Sequence, residues 1–347
     1  MLYTDLIEPA LLTGYVRQSL EDYEASKPSL ARFLPNQVIS DTVAKYYRTD
    51  SGLSDIAKYR AFDARPEIGP GRAPRRVTFE LPAISHQVVV SEEEQLRLMN
   101  SRNSSDYQLL DLLGRDLRSV VRPVADAVEY YRGQAILTGR FTVTQNNVLY
   151  DDDFGRDAAL TIDNAAVGTA FNTDPLGYLS SLEELYAEKN NGQRPGLWLF
   201  SQKVVSEVLK NKQFATLLGG SATRPASLAG SQQIMEDNGL ATYERYSRQV
   251  KVNGVTAPVI PNGWAVALPA PVNGMSDTAE LGATVWGRTL TSTDPKFGIV
   301  ESDQPGLVAG IWREDKPPMG MELIADAIVM PVLENPNASM AVQLFTA

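Results

Sequence analysis

The chain has 347 residues, 43% of them hydrophobic, which is enough for two or three domains with real cores. It has no cysteine and one histidine, His86, so disulfides, thiolate nucleophiles, zinc–sulfur sites and poly-histidine metal sites are excluded. With 32 basic against 42 acidic residues the net charge is −10, which opposes tight, non-specific binding to nucleic acid.

No apolar run approaches the eighteen or so residues of a membrane span, and the N-terminus lacks the basic start and apolar core of a signal peptide. Residues 1–45 combine a short amphipathic piece, 9–24, with a turn-rich stretch around Lys27-Pro28 and Leu34-Pro35. They hold too few apolar residues to fold alone and read as an arm. In residues 46–90 two β-prone arms, 58–63 and 77–90, flank Pro66, Gly69, Pro70, Gly71 and Pro74, residues that break regular structure. This predicts a long open hairpin that reaches away from its own domain. Ser91 and Glu94 have the spacing of a capping box and predict a short helix over 91–101.

Residues 104–138 predict one long helix. Leu109, Leu113, Leu117, Val120, Val121, Val124, Val128, Tyr131 and Ala135 recur every three or four residues, the spacing of one helical face. Ser105 or Asp106 suits the N-cap, and Gly139 stands where a left-handed residue ends a helix. At about 1.5 Å per residue such a helix is on the order of 50 Å long. Pro123 removes one internal hydrogen bond and predicts a kink; the plainer alternative is two core helices meeting at that proline.

Beyond Gly139, RFTVTQNNVLYDDDFG predicts a β-hairpin turned at Asn146-Asn147. From 157 to about 300, helices and strands interleave in an α/β unit. Its elements are a helix opened by Asp174-Pro175, a strand at 196–201, helices over 203–218 and 228–237, a strand over 241–252 turned at Asn253-Gly254, and a strand at 263–270. The tail carries strands at 306–312, 321–333 and 339–347, with RFTVT as their nearest candidate partner.

Candidate chemistry is sparse. Asp151, Asp152 and Asp153 form the densest carboxylate cluster, but they lack the spacing of a calcium loop, and neighbouring strand residues point to opposite faces; a solvated turn is the better reading. Gly69 and Gly71 have neither the following helix nor the lysine of a phosphate loop. His86 has no serine-nucleophile motif near it and reads as a surface or interface residue. Arg60, Arg65, Arg72, Arg75 and Arg76 make the hairpin the most basic stretch of an acidic chain. They suit bidentate pairing with carboxylates of a neighbouring subunit; nucleic-acid contact has only Phe62 and Phe79 as stacking support, and the bland alternative is a solvated loop.

An arm, an extended hairpin, a very long helix, a strand run, an inserted α/β unit and returning strands resemble, in that order, the major capsid proteins of tailed phages. The passage ILTGRFTVT (136–144), the turn at 153–156, and the closing runs MELI (321–324), MPVL (330–333) and MAVQL (340–344) are similar to the lambda-type capsid protein E family. The resemblance implies an α+β chain with the tailed-phage major capsid (Johnson) fold. It places an N-terminal arm at 1–45, an extended loop and short helix at 46–103, the spine helix and peripheral-domain strands at 104–156, an axial domain at 157–302 and returning peripheral-domain strands at 303–347. It implies no cofactor, no metal and no enzyme activity. It also implies assembly as pentamers and hexamers into an icosahedral virion head, built in the host cytoplasm around double-stranded DNA that is not read by sequence. The implied partners are further copies of the chain, a scaffold or maturation protease, a portal protein and a decoration protein, and no membrane. Some family members crosslink a loop lysine to a neighbour's asparagine; residues 62–77 contain no lysine and Lys58 stands well back, so crosslinking is not carried over. Some relatives begin with a scaffolding segment, whereas this chain begins with the arm, which suggests a separate scaffold or a mature form. The competing readings are the shell of a bacterial protein nanocompartment and a hydrolase using Asp151, Asp152 and Asp153.

Overall fold

The structure is a computed structural model that describes residues 8–48, 59, 62, 75–93, 106–145, 148–163, 167–218, 225–272, 279–314, 316–317 and 319–346. Its longest element is the helix Asp106–Thr138, 33 residues with Pro123 inside it. Gly139 takes φ 68° and ends it, its N–H donating to Ala135 O at 2.8 Å. Arg156 then donates from Nη1 and Nη2 to the carbonyls of Ile136 and Leu137, the orphan acceptors of the last turn. Burial strips solvent from that guanidinium and lowers its pKa to about 10, with Asp153 opposing the shift. Ser105, Leu109 and Leu113 lie outside the residues whose side chains are described, as does most of the short helix expected over 91–101.

The helix serves two cores. Leu117, Val120, Val121, Val124, Ala125 and Val128 pack with Leu12, Val16 and Leu20 of the helix Pro9–Ala25 against one sheet. Ala135, Ile136 and Leu137 join a second cluster with Leu30, Phe33, Phe79, Phe141 and Val266. Between the two clusters the predicted stripe departs from its apolar pattern: Glu129 and Arg132 are fully buried, while Tyr131 is only partly covered.

The main sheet is built around the 13-residue strand Met321–Leu333. Ala83–Val90 pairs antiparallel along its first part, and Val308–Arg313 and Gly282–Gly287 also pair antiparallel with it. Hydrogen bonds of Val329 N to Pro82 O, Glu314 N to Gly320 O and Glu334 N to Leu281 O set the ladder parity. Odd residues of the central strand therefore face Ala83–Val90, and even residues face the other two strands, which lie end to end along one side. Asn36–Val38 adds in parallel to the outer side of Gly282–Gly287. Pro331 falls on the odd side beyond Pro82, where no ladder donor is required.

A second sheet has the order Thr161–Ile162, Met340–Gln343, Trp264–Leu268, Leu197–Phe200, Tyr243–Arg245. Its two central strands, Trp264–Leu268 and Leu197–Phe200, are apolar throughout because both faces are covered. Trp198, Phe200, Ala265 and Ala267 meet the helices, including Pro175–Lys189 and Gln202–Lys210, whereas Leu197, Leu199, Val266 and Leu268 enter the core that holds the end of the long helix.

Several sequence expectations change. The tail strands do not pair with RFTVT: among the described residues Arg140–Gln145 pairs only with Val148–Asp153, as an independent hairpin whose partner is supplied locally by the short turn. The closing strand Met340–Gln343 leaves the other tail strands and pairs with Trp264–Leu268, while Gly282–Gly287 belongs to the main sheet. The helix expected over 203–218 breaks at Asn211, whose Oδ1 accepts from Gln213 N at 2.8 Å and caps a new helix, Lys212–Leu217. The strand expected over 241–252 divides into Tyr243–Arg245 and Gln249–Val252; the latter turns back at Asn253 (φ 50°) and Gly254 (φ 84°) into Val255–Pro258. The predicted Asp174 cap is present, accepting from Gly177 N at 3.1 Å.

Candidate functional site

Two arginine sites stand out, Arg76, exposed in the hairpin, and Arg132, buried in the long helix. In the hairpin, Val43–Arg48 pairs with Arg75–Glu80; the expected arm at 58–63 lies outside the described residues apart from Tyr59 and Phe62, and 77–90 is not one arm but two strands split at Leu81-Pro82. Proline has no ladder donor, and beyond it Ala83–Val90 enters the main sheet. The hairpin root is also less free than the sequence suggested. Ala44, Phe79 and Leu81 are buried, and the Phe79 ring meets that of Phe154 edge-on at 5.2 Å, so Phe79 is not available for base stacking. Arg76 is exposed and Arg75 shares its strand; Arg60, Arg65 and Arg72 lie outside the described residues.

The second site was not anticipated. Arg132, with no exposed surface, donates from Nη1 to Glu24 Oε1 at 2.6 Å and to Glu129 Oε2 at 3.2 Å, from Nη2 to Asn36 Oδ1 at 2.5 Å and from Nε to Thr284 Oγ1 at 2.8 Å. Burial opposes its charge, but the two carboxylates outweigh that and its pKa is raised. Glu129 Oε1 in turn accepts from Leu30 N at 2.7 Å and from the Tyr246 hydroxyl at 2.6 Å, and Oε2 accepts from the Ser29 hydroxyl at 3.0 Å. Burial, and then Glu129, push the Tyr246 pKa up, so its hydroxyl stays a donor. Arg248 Nη2 donates to Asp126 Oδ1 at 3.1 Å, and the Tyr23 hydroxyl donates to the same oxygen at 3.0 Å. Trp286 Nε1 closes the network on Asn36 Oδ1 at 2.9 Å.

This junction joins the helix Pro9–Ala25, the turn after it, the long helix, the main sheet and the loop at 246–248. It positions elements, and the Arg132 and Glu129 side chains at its centre have no exposed surface. A sequence signal exists: Arg132 follows Val128 by four residues, and Glu129 precedes Arg132 by three, which places both on the inward arc of the helix. What the sequence does not show is that Glu24, Asn36 and Thr284 converge there.

The other candidates are placed as follows. Asp151 and Asp153 are exposed and lie 3.5 and 3.8 Å from the guanidinium of Arg140, while Asp152 turns to the opposite side. Its carboxyl is raised by partial burial and by the nearby charges of Asp151 and Glu80. Among the described residues no group of three or more His, Cys, Asp or Glu is placed to hold a metal ion, and no helix is long and apolar enough to cross a membrane. His86 lies in the strand Ala83–Val90, half-buried, its position opposite Ala325. Pro123 is exposed and lines a groove of about 420 Å³ with Tyr130, Tyr131 and the hairpin residues Val250 and Val252.

A long helix under an antiparallel sheet, a hairpin rooted beside it and a second sheet inserted before the chain returns define a phage-capsid fold. The same fold is found in a prophage protein of Escherichia coli CFT073 assigned as a capsid protein, with a TM-score of 0.65 and 14% identity over 97% of this chain and 99% of that one. A phage-related protein of Bordetella bronchiseptica RB50 matches with a TM-score of 0.55 and 13% identity over 96% of both chains. No curated protein sequence matches. The model of the phage major capsid protein E family matches residues 18–344, and the chain belongs to that family. It is a phage capsid shell protein.

Proposed function

We propose that copies of this chain assemble as pentamers and hexamers into the icosahedral head of a tailed phage, enclosing double-stranded DNA, with a structural role and no catalysis of its own. Membership of the major capsid family over residues 18–344 is the observation that carries this reading. A net charge of −10 supports it, since a container must not grip the DNA that later leaves. A scaffold or maturation protease, a portal protein and a decoration protein are the further partners, and assembly takes place in the host cytoplasm.

Within the shell, residues 1–45 serve as the arm, 46–103 as the extended loop and short helix, and 104–156 as the spine with peripheral strands. Residues 157–302 serve as the axial domain and 303–347 as the return. In this reading Met340–Gln343 and Gly282–Gly287 exchange places across the division, as their sheet partners support. The loop arginines Arg60, Arg65, Arg72, Arg75 and Arg76 dock onto carboxylates of a neighbouring subunit, and Pro123 lets one spine fit subunits of different curvature.

Electron microscopy of the concentrated protein, alone and with a scaffold partner, tests the assembly: closed shells are expected, and monomers or dimers under every condition would overturn it. Deleting residues 67–74 is expected to leave the subunit folded and to prevent shells. Equal spine bends in every independent subunit would remove the role given to Pro123.

A further inference from the structure

We propose that the outer edge of the strand Ala83–Val90 is a strand-addition site, on which an extended segment of a second copy of this chain extends the main sheet. The ladder parity identifies its atoms. Val329 N donates to Pro82 O, so Ile84, His86 and Val88 hydrogen-bond inward to Met321–Leu333. The N–H and C=O groups of Ala83, Ser85, Gln87 and Val89 therefore point outward. Among the described residues none of these outward groups has a hydrogen-bond partner in the chain.

The opposite edge of the same sheet is treated differently. There the outward groups belong to Val308–Arg313, and the helix Pro9–Ala25 packs on that strand and answers those of Ala309: Thr13 Oγ1 donates to Ala309 O at 3.4 Å and accepts from Ala309 N at 3.5 Å, and Arg17 Nε donates to Leu307 O at 2.9 Å just before the strand. Exposed edges in soluble proteins are usually protected by such a cover, by a lysine, by a proline or by a bulge. Residues 83–90 read AISHQVVV, with no aspartate, glutamate, lysine or arginine and no proline within the strand. Ala83, Ser85, Gln87 and Val89 are exposed, and Ile84 and Val88, which face the spine, are only partly buried. An added strand would cover them and satisfy the outward groups together.

The occupant follows from continuity and from the shell itself. The edge starts immediately after the hairpin, joined to Arg75–Glu80 by Leu81 and Pro82 alone, so it adjoins the element proposed to reach a neighbour. In a shell, the extended segments held against it at high local concentration are those of other copies. This inference rests on shell assembly, which microscopy of the same sample reports separately.

Hydrogen–deuterium exchange of residues 83–90, compared between unassembled subunits and shells assembled from this chain, tests it. The outward amides are expected to slow about 10-fold or more in shells, as one added hydrogen bond requires. Unchanged exchange overturns the proposal, and slowing that appears only after a scaffold or decoration protein is added assigns the edge to that protein and also overturns it. Gln87→Pro removes an N–H that the subunit's own sheet does not use, and Gln87→Lys places a charge on the same edge. Subunits with an unchanged melting temperature and a shell yield at least about 10-fold lower are expected from whichever variant folds. Normal shells from the folded variants overturn the site.

Discussion

The hairpin and the junction around Arg132 use the same side chain for opposite ends. In the junction, the guanidinium of Arg132 is out of water and every partner that holds it comes from the same chain. In the hairpin, Arg76 is in water, and the described strands pack on the core through Ala44, Tyr46, Val77 and Phe79. The difference teaches where each can act. A buried ion network, in which every nitrogen of the Arg132 guanidinium donates within the chain, sets how five elements meet, whereas an exposed guanidinium contributes little to the subunit and keeps its donors for another molecule.

The sharpest way to break the comparison is Arg132→Met. It leaves Glu24 buried without its cation and Glu129 with only the Arg248 guanidinium 3.6 Å away, and we expect a loss of about 3–5 kcal/mol in chemical denaturation of the unassembled subunit. A loss below about 1 kcal/mol would mean that the junction is not the clamp its geometry implies. Tyr246→Phe removes one charge-assisted hydrogen bond to Glu129 and no ion pair, so a smaller loss of about 1.5–3 kcal/mol is expected from the same measurement.

Asp326 sharpens the contrast from the other side, because it is a part-buried carboxyl held by the Thr291 hydroxyl at 2.9 Å and not by a guanidinium. Burial raises its pKa, so the folded state binds the proton more tightly than the unfolded state. Its contribution to stability is present at low pH and is lost as pH rises through the folded pKa. Asp326→Asn should therefore raise the melting temperature slightly at neutral pH and leave it unchanged in acid; equal shifts at both pH values would show that titration is not the cause. The smallest effect on folding belongs to Arg76→Glu, which should change subunit stability by less than about 0.5 kcal/mol while lowering shell yield. Full assembly by that variant would remove Arg76 from the docking set.

Much of the fold was legible because its signals are local. The 3.6-residue spacing of Leu117 through Val128 and the glycine at 139 predict the helix Asp106–Thr138, and Asp174-Pro175 predicts the start of another. Asn253-Gly254 predicts its turn because both residues tolerate positive φ. Partner choice was less legible. Met340–Gln343 and Val308–Arg313 are both short apolar strands in the tail, and nothing in either one states that the first pairs with Trp264–Leu268 and the second with Met321–Leu333. The division of residues 241–252 into two strands was hidden for the same reason, since each half is β-prone and only their partners separate them.

The sequence by itself determined the element order, the acidic and cysteine-free surface chemistry and the long helical spine, because composition and periodicity are properties of neighbouring residues. Only the tertiary structure decided which residues meet Arg132 and that, among the described residues, a helix packs on one edge of the main sheet and none pairs with the other. Those outcomes depend on residues far apart in the chain, Glu24 with Arg132 and Thr13 with Ala309, whose meeting no local pattern encodes.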